Sequence, residues 1–288
     1  MPPPRRSPTL RRRRLTALLN QARKDAGLST VDIDARLGWT KGKTARAMRG
    51  EWVRPNPRDI RDMLDLLGVT DERRREEMFS LARQGRERGW WHPYREMLSE
   101  RYTTYIGLEA EAGGVLTFEA LRVPGLLQTI DYARALMKDG PAELGDEEIE
   151  KRIEVRTERQ KPLTASEQPL RLWAIMDESV ITHAVGGAAV MRDQLNHLLK
   201  MAELPKVTLQ IIPLAVGAHP GMNGPFTILE FPEPLDPDAV YTENIGGELL
   251  QEEPADVARF KTAFQRLQGS ALAPKDTLAL IADKAATL

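Results

Sequence analysis

Residues 27–50 read GLSTVDIDARLGWTKGKTARAMRG, and this stretch decides the fold of the first part of the chain. Its pattern predicts two short helices, residues 30–37 and 40–49, joined by a tight turn at Gly38 and Trp39. Gly38 follows the last apolar residue of the first helix, where a helix commonly ends in a left-handed residue. The stretch is therefore predicted to form a helix, a turn and a second helix.

Polar residues at the helix starts support this prediction. Ser29 or Thr30 can cap the first helix and Thr40 the second, because a side-chain oxygen there accepts a hydrogen bond from an unpaired backbone N–H. The second helix has no carboxylate before Glu51. Its basic residues are Lys41, Lys43, Arg46 and Arg49. A short basic helix after a glycine turn is typical of the element that helix-turn-helix proteins insert into the major groove of DNA.

Helical patterns flank this stretch on both sides. Apolar residues recur at helical spacing over residues 10–26, and again behind Pro57, which suits the first turn of a helix. A fifth helical pattern ends near Arg83. The sequence thus predicts an all-α domain of about five helices over residues 10–84, preceded by a disordered arm over residues 1–9.

Composition limits the alternatives. The chain has 288 residues, 41% hydrophobic and 29% charged, which is usual for a globular protein of one or two domains. No apolar run approaches the roughly 20 residues that a membrane-spanning helix needs, and a signal peptide is not expected. The lack of cysteine excludes disulfides and thiolate metal sites. A cytoplasmic, nucleoid-associated protein with no cofactor and no metal is expected.

The net charge of −1 conceals an asymmetry. Residues 1–90 contain 22 Lys+Arg and 12 Asp+Glu, whereas the rest of the chain contains 19 and 30. Residues 1–54 alone contain 14 and 4. A basic terminal module on an acidic body indicates that nucleic acid binds at one end only.

The stretch resembles the Xre/Cro type of bacterial helix-turn-helix repressor domain, whose pattern reads approximately GLTQEELARRLGVSQSKVSRIERG. The identical positions are Gly27, Leu28, Arg36, Leu37, Gly38, Lys43, Arg46, Arg49 and Gly50. Three positions that normally hold the two helices together differ. Asp34 replaces a small apolar residue, Thr44 a valine and Ala47 a bulky aliphatic residue. Trp39 and Met48 are expected to fill the space left there.

The resemblance implies double-stranded DNA as the partner. Lys43 and Arg46 are the first candidates for base or phosphate contacts. Arg49 and Arg54, at the far end, are expected to touch phosphate, which fixes register without reading sequence. The full candidate set is Ser29, Thr30, Thr40, Lys41, Lys43, Thr44, Arg46, Arg49 and Arg54.

An aromatic-rich stretch, residues 85–104, is expected to join the two halves of the chain. Its aromatic residues, with the one that follows, are Trp90, Trp91, Tyr94, Tyr102 and Tyr105. Base stacking is one interpretation of such residues. Docking of one domain on another is the favoured one.

From residue 105 onward the sequence resembles the uncharacterised carboxy-terminal domain that follows an Xre-type module in many regulators of high-GC Gram-positive bacteria. The resemblance opens with IGLEAEAGGVLTFEALRVPGLLQTIDYARALM and recurs in residues 147–163, 171–178, 202–231 and 257–274. Family members are similar to antitoxin-type transcription factors and are often encoded beside a very small protein. The resemblance therefore implies regulation and a small protein partner from an adjacent gene, and it supplies no ligand.

Short β-branched or alternating runs between Pro and Gly predict strands in this half. They are residues 170–176, 207–212, 225–231 and 239–243, of which the last two can pair antiparallel. Helical patterns near residues 195–202 and 257–267, and a terminal helix from Pro274, alternate with them. The expected fold is a mixed α/β domain over residues 105–288 that dimerises and senses a signal.

Two further functions are open for this half. The pair Asp177–Glu178 and the nearby His183 are suitable for acid–base catalysis. No nucleophile elbow, phosphate loop or dinucleotide motif accompanies them, so an enzyme is not expected. A pocket that senses a ligand or partner is favoured. Its candidate residues are Trp173, Asp177, His219 and Asn223.

The sequence as a whole predicts a DNA-binding transcriptional regulator, a homodimer that reads a pseudo-palindromic operator through the helix at residues 40–49. Its carboxy-terminal domain would sense a small partner protein or a ligand. The alternative is an antitoxin-like interaction module with a degenerate helix-turn-helix, motivated by Asp34, Thr44 and Ala47. An enzyme with a DNA-binding leader is the third and least favoured hypothesis.

Overall fold

The computed structural model describes residues 7–51, 55–140, 143–233 and 236–288. The chain divides into two compact units, Met1–Pro93 and Tyr94–Leu288. The division falls inside residues 85–104, the stretch expected to join the halves. Among the described residues, no helix combines the length and the apolar character that crossing a membrane requires.

The first unit is all-α, as predicted. Its helices in the described residues are α1 (Pro8–Asp25), α2 (Thr30–Arg36), α3 (Lys43–Met48), α4 (Pro57–Leu66) and α5 (Glu72–Gln84). Helix α1 begins at Pro8 and is capped by the Ser7 side chain. The disordered arm predicted over residues 1–9 is therefore wrong for its last residues, and residues 1–6 lie outside the described part of the chain.

One apolar core joins the helices of this unit. Helix α1 packs against α5 and α3, and α4 packs against α5. Fully buried side chains in the core include Leu15, Leu19, Ile33, Ile60, Met63, Leu64 and Met78. Each contributes roughly 1.5–3 kcal/mol relative to an exposed side chain. Trp39 and Met48 pack, partly buried, against the same core.

The second unit is built on a mixed six-stranded sheet with the order β3-β2-β1-β4-β5-β6. The strands are β1 (Gly114–Glu119), β2 (Arg171–Asp177), β3 (Val207–Ile212), β4 (Phe226–Glu230), β5 (Ala239–Asn244) and β6 (Gly247–Gln251). Strands β1, β2 and β3 run parallel, and β4, β5 and β6 each pair antiparallel. The predicted antiparallel pair is confirmed as β4 and β5.

Strands β1 and β6 are not among the four that the sequence predicts. Strand β6 is polar at its ends and lies at an edge of the sheet, so it lacks the apolar alternation of a buried strand. Strand β1 begins at the second of two adjacent glycines and occupies the centre of the sheet. The parallel pairing of β1 with β2 places the longest crossover of the unit between them.

Helices cover the sheet and its edges. They are α6 (Glu100–Glu109), α7 (Ile130–Lys138), α8 (Asp146–Gln160), α9 (Ser179–Thr182), α10 (Ala188–Met201), α11 (Pro254–Ser270) and α12 (Pro274–Ala286). Helix α11 packs against β3, β4 and β5, and α6 packs against β6. Helix α12 packs against β3 and α10.

Alternation along β1 separates the two faces of the sheet. Leu116 and Phe118 join the apolar core that contains Phe264 of α11. Successive side chains of a strand point to opposite faces. Thr117 and Glu119 therefore point away from α11, and both line a cavity on the other face.

Candidate nucleic-acid interface and a polar cavity

Helix α3 has six residues, which is too short for a helix to be stable without outside support. The support at its amino end comes from Asp34 of α2. The Asp34 carboxylate accepts the N–H of Gly42 at 2.7 Å and the N–H of Thr44 at 2.9 Å. Two of the unpaired N–H groups at the start of the helix are thereby satisfied by one ionised side chain.

The support at the carboxy end of α3 comes from helix α1. Asn20 Nδ2 donates to the carbonyl of Met48 at 2.9 Å, and Thr16 Oγ1 donates to the carbonyl of Ala47 at 3.4 Å. These side chains satisfy carbonyls that have no partner inside the helix. Helix α3 is therefore held at both ends by neighbouring helices, and its direction is fixed relative to the rest of the unit.

The helix predicted over residues 40–49 is shorter in the structure. It begins at Lys43, and Thr40 is exposed and does not cap it. Gly42 stands at the cap position with φ +84°, a left-handed conformation that glycine adopts without strain. The reason for the error is that the capping oxygen comes from Asp34, which lies on another helix.

Asp34 remains ionised although it is buried. Its exposure is 6%. Burial by itself raises the pKa of Asp34, but hydrogen bonds from Thr44 and Gly42 and the charge of Arg46 outweigh it, so the pKa lies below its usual value. The departure from the repressor pattern at this position thus replaces an apolar contact with a charged cap.

The other two departures are also part of the packed helix pair. Thr44 is 0% exposed and Ala47 4% exposed. A fully buried Thr44 side chain does not reach a surface where DNA could lie, so Thr44 is removed from the DNA-contact candidates. The three departures build the joint between α2 and α3, and they no longer motivate the hypothesis of a degenerate helix-turn-helix.

The first helix of the pair begins as predicted. Ser29 accepts the N–H of Asp32 at 3.1 Å, and the Asp32 carboxylate accepts the N–H of Ser29 at 3.0 Å, which forms a reciprocal capping box. Thr30 is the first residue of α2. The turn at Gly38 has φ +63°, which confirms the predicted left-handed end of this helix.

The basic side chains around α3 fall into two groups. Lys43 Nζ lies 2.8 Å from Asp59 of α4 and 3.9 Å from the centroid of the Trp39 ring. Arg49 Nε lies 2.5 Å from Glu51. Both cations are thus engaged within the unit.

The second group has no such partner. Lys41 and Arg46 are exposed and form no ion pair with any described residue. Lys41 lies in the turn before α3, and Arg46 lies on the helix itself. Arg54 lies outside the described residues, so the structure says nothing of its contacts.

The structure brings only part of the predicted effector site together. Asp177 Oδ2 lies 3.4 Å from His219 Nε2. Trp173 donates from Nε1 to Gln210 at 2.8 Å and packs edge-on against α11. Asn223 is exposed at the end of a short 3-10 helix, Pro220–Asn223. Trp173 lies on the face of the sheet that α11 covers, and the residues form no common pocket there among the described residues.

A cavity lies on the opposite face of the sheet. Its volume is about 240 Å³. Its walls come from α6, β1, α8, β4 and β5 and from the loop after β1. Arg122 and Glu243, each with a side chain 42% exposed, stand at its rim and are joined by a hydrogen bond of 3.0 Å. The cavity is therefore open to small molecules from solvent.

One buried ion pair forms part of this wall. Arg159 binds Glu109 with two hydrogen bonds, Nε to Oε1 at 2.7 Å and Nη2 to Oε2 at 2.8 Å. Tyr105 donates to Glu109 at 2.7 Å, and Tyr102 accepts from Arg159 at 2.6 Å. These tyrosines belong to the interior of the second unit, which corrects their assignment to a domain-docking stretch.

Three polar atoms of residues that line the cavity are left without hydrogen-bond partners among the described residues. They are Glu119 Oε2, Arg156 Nε and Tyr241 Oη. Burial raises the pKa of Glu119 to about 7, with the cation of Arg122 opposing the rise and the carboxylate of Glu243 adding to it. None of these three residues was among the sequence-based candidates. In the segment GVLTFE, however, the polar Thr117 and Glu119 alternate with apolar residues, as on a strand with one polar face.

The geometry of the first unit defines the class of protein. Two short helices meet at a glycine turn, and the second presents basic side chains, which is the arrangement of a helix-turn-helix protein. Residues 14–76 match the family described as Helix-turn-helix domain.

Residues 102–283, more than half of the chain, match the family described as Domain of unknown function (DUF5753). The chain belongs to this family. Its architecture of a helix-turn-helix domain followed by a carboxy-terminal domain of unknown function is the one that the sequence resemblance implied. No curated protein and no solved structure matches the chain.

Proposed function

We propose that the chain is a DNA-binding transcriptional regulator whose α3 helix and preceding turn enter the major groove. The observation that supports this most strongly is the fixation of α3 at both ends by Asp34, Thr16 and Asn20. A helix of six residues needs outside support to be stable, and support at both ends also fixes its direction. Base contacts by a recognition helix depend on such a fixed orientation.

The free cations give this helix its first contacts. Lys41 and Arg46 are exposed without an ion-pair partner among the described residues, so their charges can neutralise phosphate or reach a base edge. Lys43 is tied to Asp59. It is therefore expected to contribute less binding free energy than the sequence pattern indicates.

The proposal includes a homodimer on a pseudo-palindromic operator. One small module offers few base contacts, and two modules that bind half-sites one helical turn apart multiply the affinity. The second unit would hold the two copies together and receive a signal, either a small molecule or the small protein of an adjacent gene. A signal that changes the separation of the two modules would change the affinity for the operator.

The test is a fluorescence-anisotropy titration of the full chain with DNA from its own promoter and with sequences selected from a random pool. Lys41→Ala combined with Arg46→Ala is expected to weaken binding and to lower the slope of log affinity against log salt by about 2, because each lost phosphate contact removes about 0.9. A footprint with two protected half-sites would support the dimer.

The matched control is Arg192→Ala combined with Lys206→Ala, which removes the same charges from exposed positions of the second unit. This control is expected to bind DNA as the unaltered chain does. Equal losses in both double variants would mean that net charge, and not α3, governs binding, and the proposed role of α3 would be abandoned.

A further inference from the structure

The cavity of the second unit contains a concentration of unsatisfied polar groups. The great majority of buried polar atoms in folded proteins have a hydrogen-bond partner, and each exception calls for an explanation. Here Glu119 Oε2, Arg156 Nε and Tyr241 Oη, which have no hydrogen-bond partner among the described residues, belong to the lining of one cavity. They come from β1, α8 and β5, so no single local distortion accounts for them.

Arg156 supplies a directed donor. Its Nη1 donates to Gln128 at 2.7 Å, which fixes the guanidinium plane, while Nε has no acceptor among the described residues. Burial lowers the pKa of Arg156, and the neighbouring cations of Arg159 and Arg122 act in the same direction. A bound carboxylate or similar acceptor would offset this local positive charge and supply the missing hydrogen bond.

Glu119 supplies the complementary acceptor. Its Oε2 is 3.6 Å from Arg122 Nε, which is outside hydrogen-bonding distance. Arg122 instead donates to Glu243 at 3.0 Å. The Glu119 side chain is 13% exposed and forms an ion pair with Arg122, and its carboxylate has remaining capacity to accept a hydrogen bond from an ammonium or other N–H group.

The remainder of the lining mixes polar and apolar side chains. Tyr105 stacks on Tyr241 with ring centroids 4.1 Å apart, and the Tyr241 hydroxyl has no hydrogen-bond partner among the described residues. Val115, Leu126 and Leu172 form an aliphatic part of the wall that an apolar group of a ligand can contact. The volume of the cavity lies just below the roughly 300–1,000 Å³ that is usual for binding pockets.

We propose that this cavity binds a small amphoteric molecule of the α-amino acid class, with its carboxylate on Arg156, its ammonium on Glu119 and an apolar or aromatic side chain against the aliphatic wall. The site deepens the proposed function, because it would give the carboxy-terminal unit a signal to receive. Binding itself involves the second unit and is measured without DNA.

The test is isothermal titration calorimetry of the full chain against leucine, isoleucine, methionine, phenylalanine, tyrosine and tryptophan as free L-amino acids. We expect at least one to bind. For an aromatic ligand such as phenylalanine, phenethylamine lacks the carboxylate and 3-phenylpropanoate lacks the ammonium. Each truncated probe is expected to bind at least tenfold more weakly. This comparison uses the unaltered chain, so it remains decisive if a variant fails to fold.

Variants then assign the contacts. Glu119→Gln is expected to lower the affinity for an amino acid at least tenfold. The affinity for 3-phenylpropanoate should stay unchanged, because that probe has no ammonium to lose. Arg156→Gln is expected to weaken the affinity for the amino acid in the same way and to leave the affinity for phenethylamine unchanged, because that probe has no carboxylate to lose. The matched control is Glu230→Gln, a strand carboxylate held by Arg171 that does not line the cavity, and it is expected to bind as the unaltered chain does.

Two results would overturn the proposal. One is the absence of heat with all six amino acids, which would mean that water alone fills the cavity. The other is equal binding of the amino acid and both truncated probes, since recognition would then be apolar only. Neither result bears on the DNA titration, so a failure of this site and a failure of the proposed regulator are distinguishable.

Discussion

Asp34 in the first unit and Glu119 in the second are both carboxylates taken largely out of water, and the protein treats them in opposite ways. Asp34 receives two backbone N–H groups at 2.7 and 2.9 Å, and its pKa falls below the usual value. Glu119 keeps one oxygen without a hydrogen bond among the described residues, and its pKa rises to about 7. Burial disfavours the charge in both cases. Hydrogen bonds and the charge of Arg46 outweigh burial at Asp34, whereas the carboxylate of Glu243 adds to its effect at Glu119.

The difference separates a structural charge from a charge available to a ligand. The Asp34 carboxylate uses its hydrogen-bonding capacity at the start of α3. It therefore fixes a surface helix and has little capacity left to bind a partner. Glu119 lies at the edge of a cavity with capacity unused. The buried Glu109–Arg159 pair in the same unit is joined by two hydrogen bonds and belongs with Asp34. Saturation by hydrogen bonds, not burial, distinguishes the two kinds of site.

The largest effect is expected for Glu109→Ala, which tests the group of carboxylates that are saturated by hydrogen bonds. The substitution leaves Arg159 buried and without its anion, and breaking such a pair from one side costs about 4 kcal/mol. The free energy of unfolding, measured by urea titration of the full chain, should fall by this amount. Glu158→Ala, on the exposed side of α8, is the control and should change little. A loss as small as that of the control would show that water reaches Arg159.

A somewhat smaller loss is expected for Asp34→Ala. Two N–H groups at the start of α3 lose their acceptor, and the cost is about 3 kcal/mol because water can reach part of this turn. Hydrogen exchange of the peptide that covers α2 and α3 measures the local opening. Asp32→Ala removes the exposed capping-box carboxylate and should have a much weaker effect. DNA binding should be lost with Asp34→Ala, since α3 no longer holds its direction.

The third prediction concerns Glu119, the carboxylate with unused hydrogen-bonding capacity, and the dependence of stability on pH. Because the pKa of Glu119 is raised from 4.5 to about 7, the folded chain binds more protons than the unfolded chain between these values. Stability contributed by this group is complete below 4.5 and is lost as pH rises through 7, by about 2 kcal/mol between about pH 5.5 and pH 8.

The measurement is the urea midpoint of the full chain as a function of pH, compared with Glu119→Gln. The groups that face Glu119 are Arg122 on the following loop, Arg156 on α8 and Glu243 on β5. The glutamine variant should lack this part of the pH dependence. Parallel curves for the two proteins would show that Glu119 titrates near its usual pKa and is solvated.

The smallest expected effect concerns a cation that the structure has already engaged. Asp59→Asn releases Lys43 from its partner at 2.8 Å and removes one negative charge beside α3. DNA affinity should rise about threefold at low salt, and the gain should vanish as salt screens the charges. Asp193→Asn on α10 is the control. Weaker binding would mean that the pair with Asp59 orients Lys43 for its contact.

The sequence allowed much of the first unit to be predicted. The bounds of α2, the glycine turn and the start of α4 at Pro57 depend on residues within a few positions, so local propensity and caps specify them. The start of α3 was predicted wrongly at Thr40, because its cap is Asp34 and comes from the preceding helix. The DNA-contact candidates stay a prediction, except for Thr44, which is buried and is no longer among them.

The predicted effector residues and the cavity lie on opposite faces of the sheet. Asp177 was chosen because it ends strand β2, and Trp173 lies on the face that α11 covers. Glu119 was missed because β1 was not predicted as a strand, and Arg156 was missed because a single arginine in the charged helix α8 carries no signal of its own.

What the amino-acid order determined by itself is therefore local: which segments become helices, where the glycine turn falls, and that a basic module precedes an acidic mixed α/β domain. Only the tertiary structure decided that Asp34 serves α3 and that Glu119, Arg156 and Tyr241 meet around one cavity. The reason is that β1 lies between β2 and β4 in the sheet. This order depends on the packing of the whole unit, and no neighbouring residues encode it.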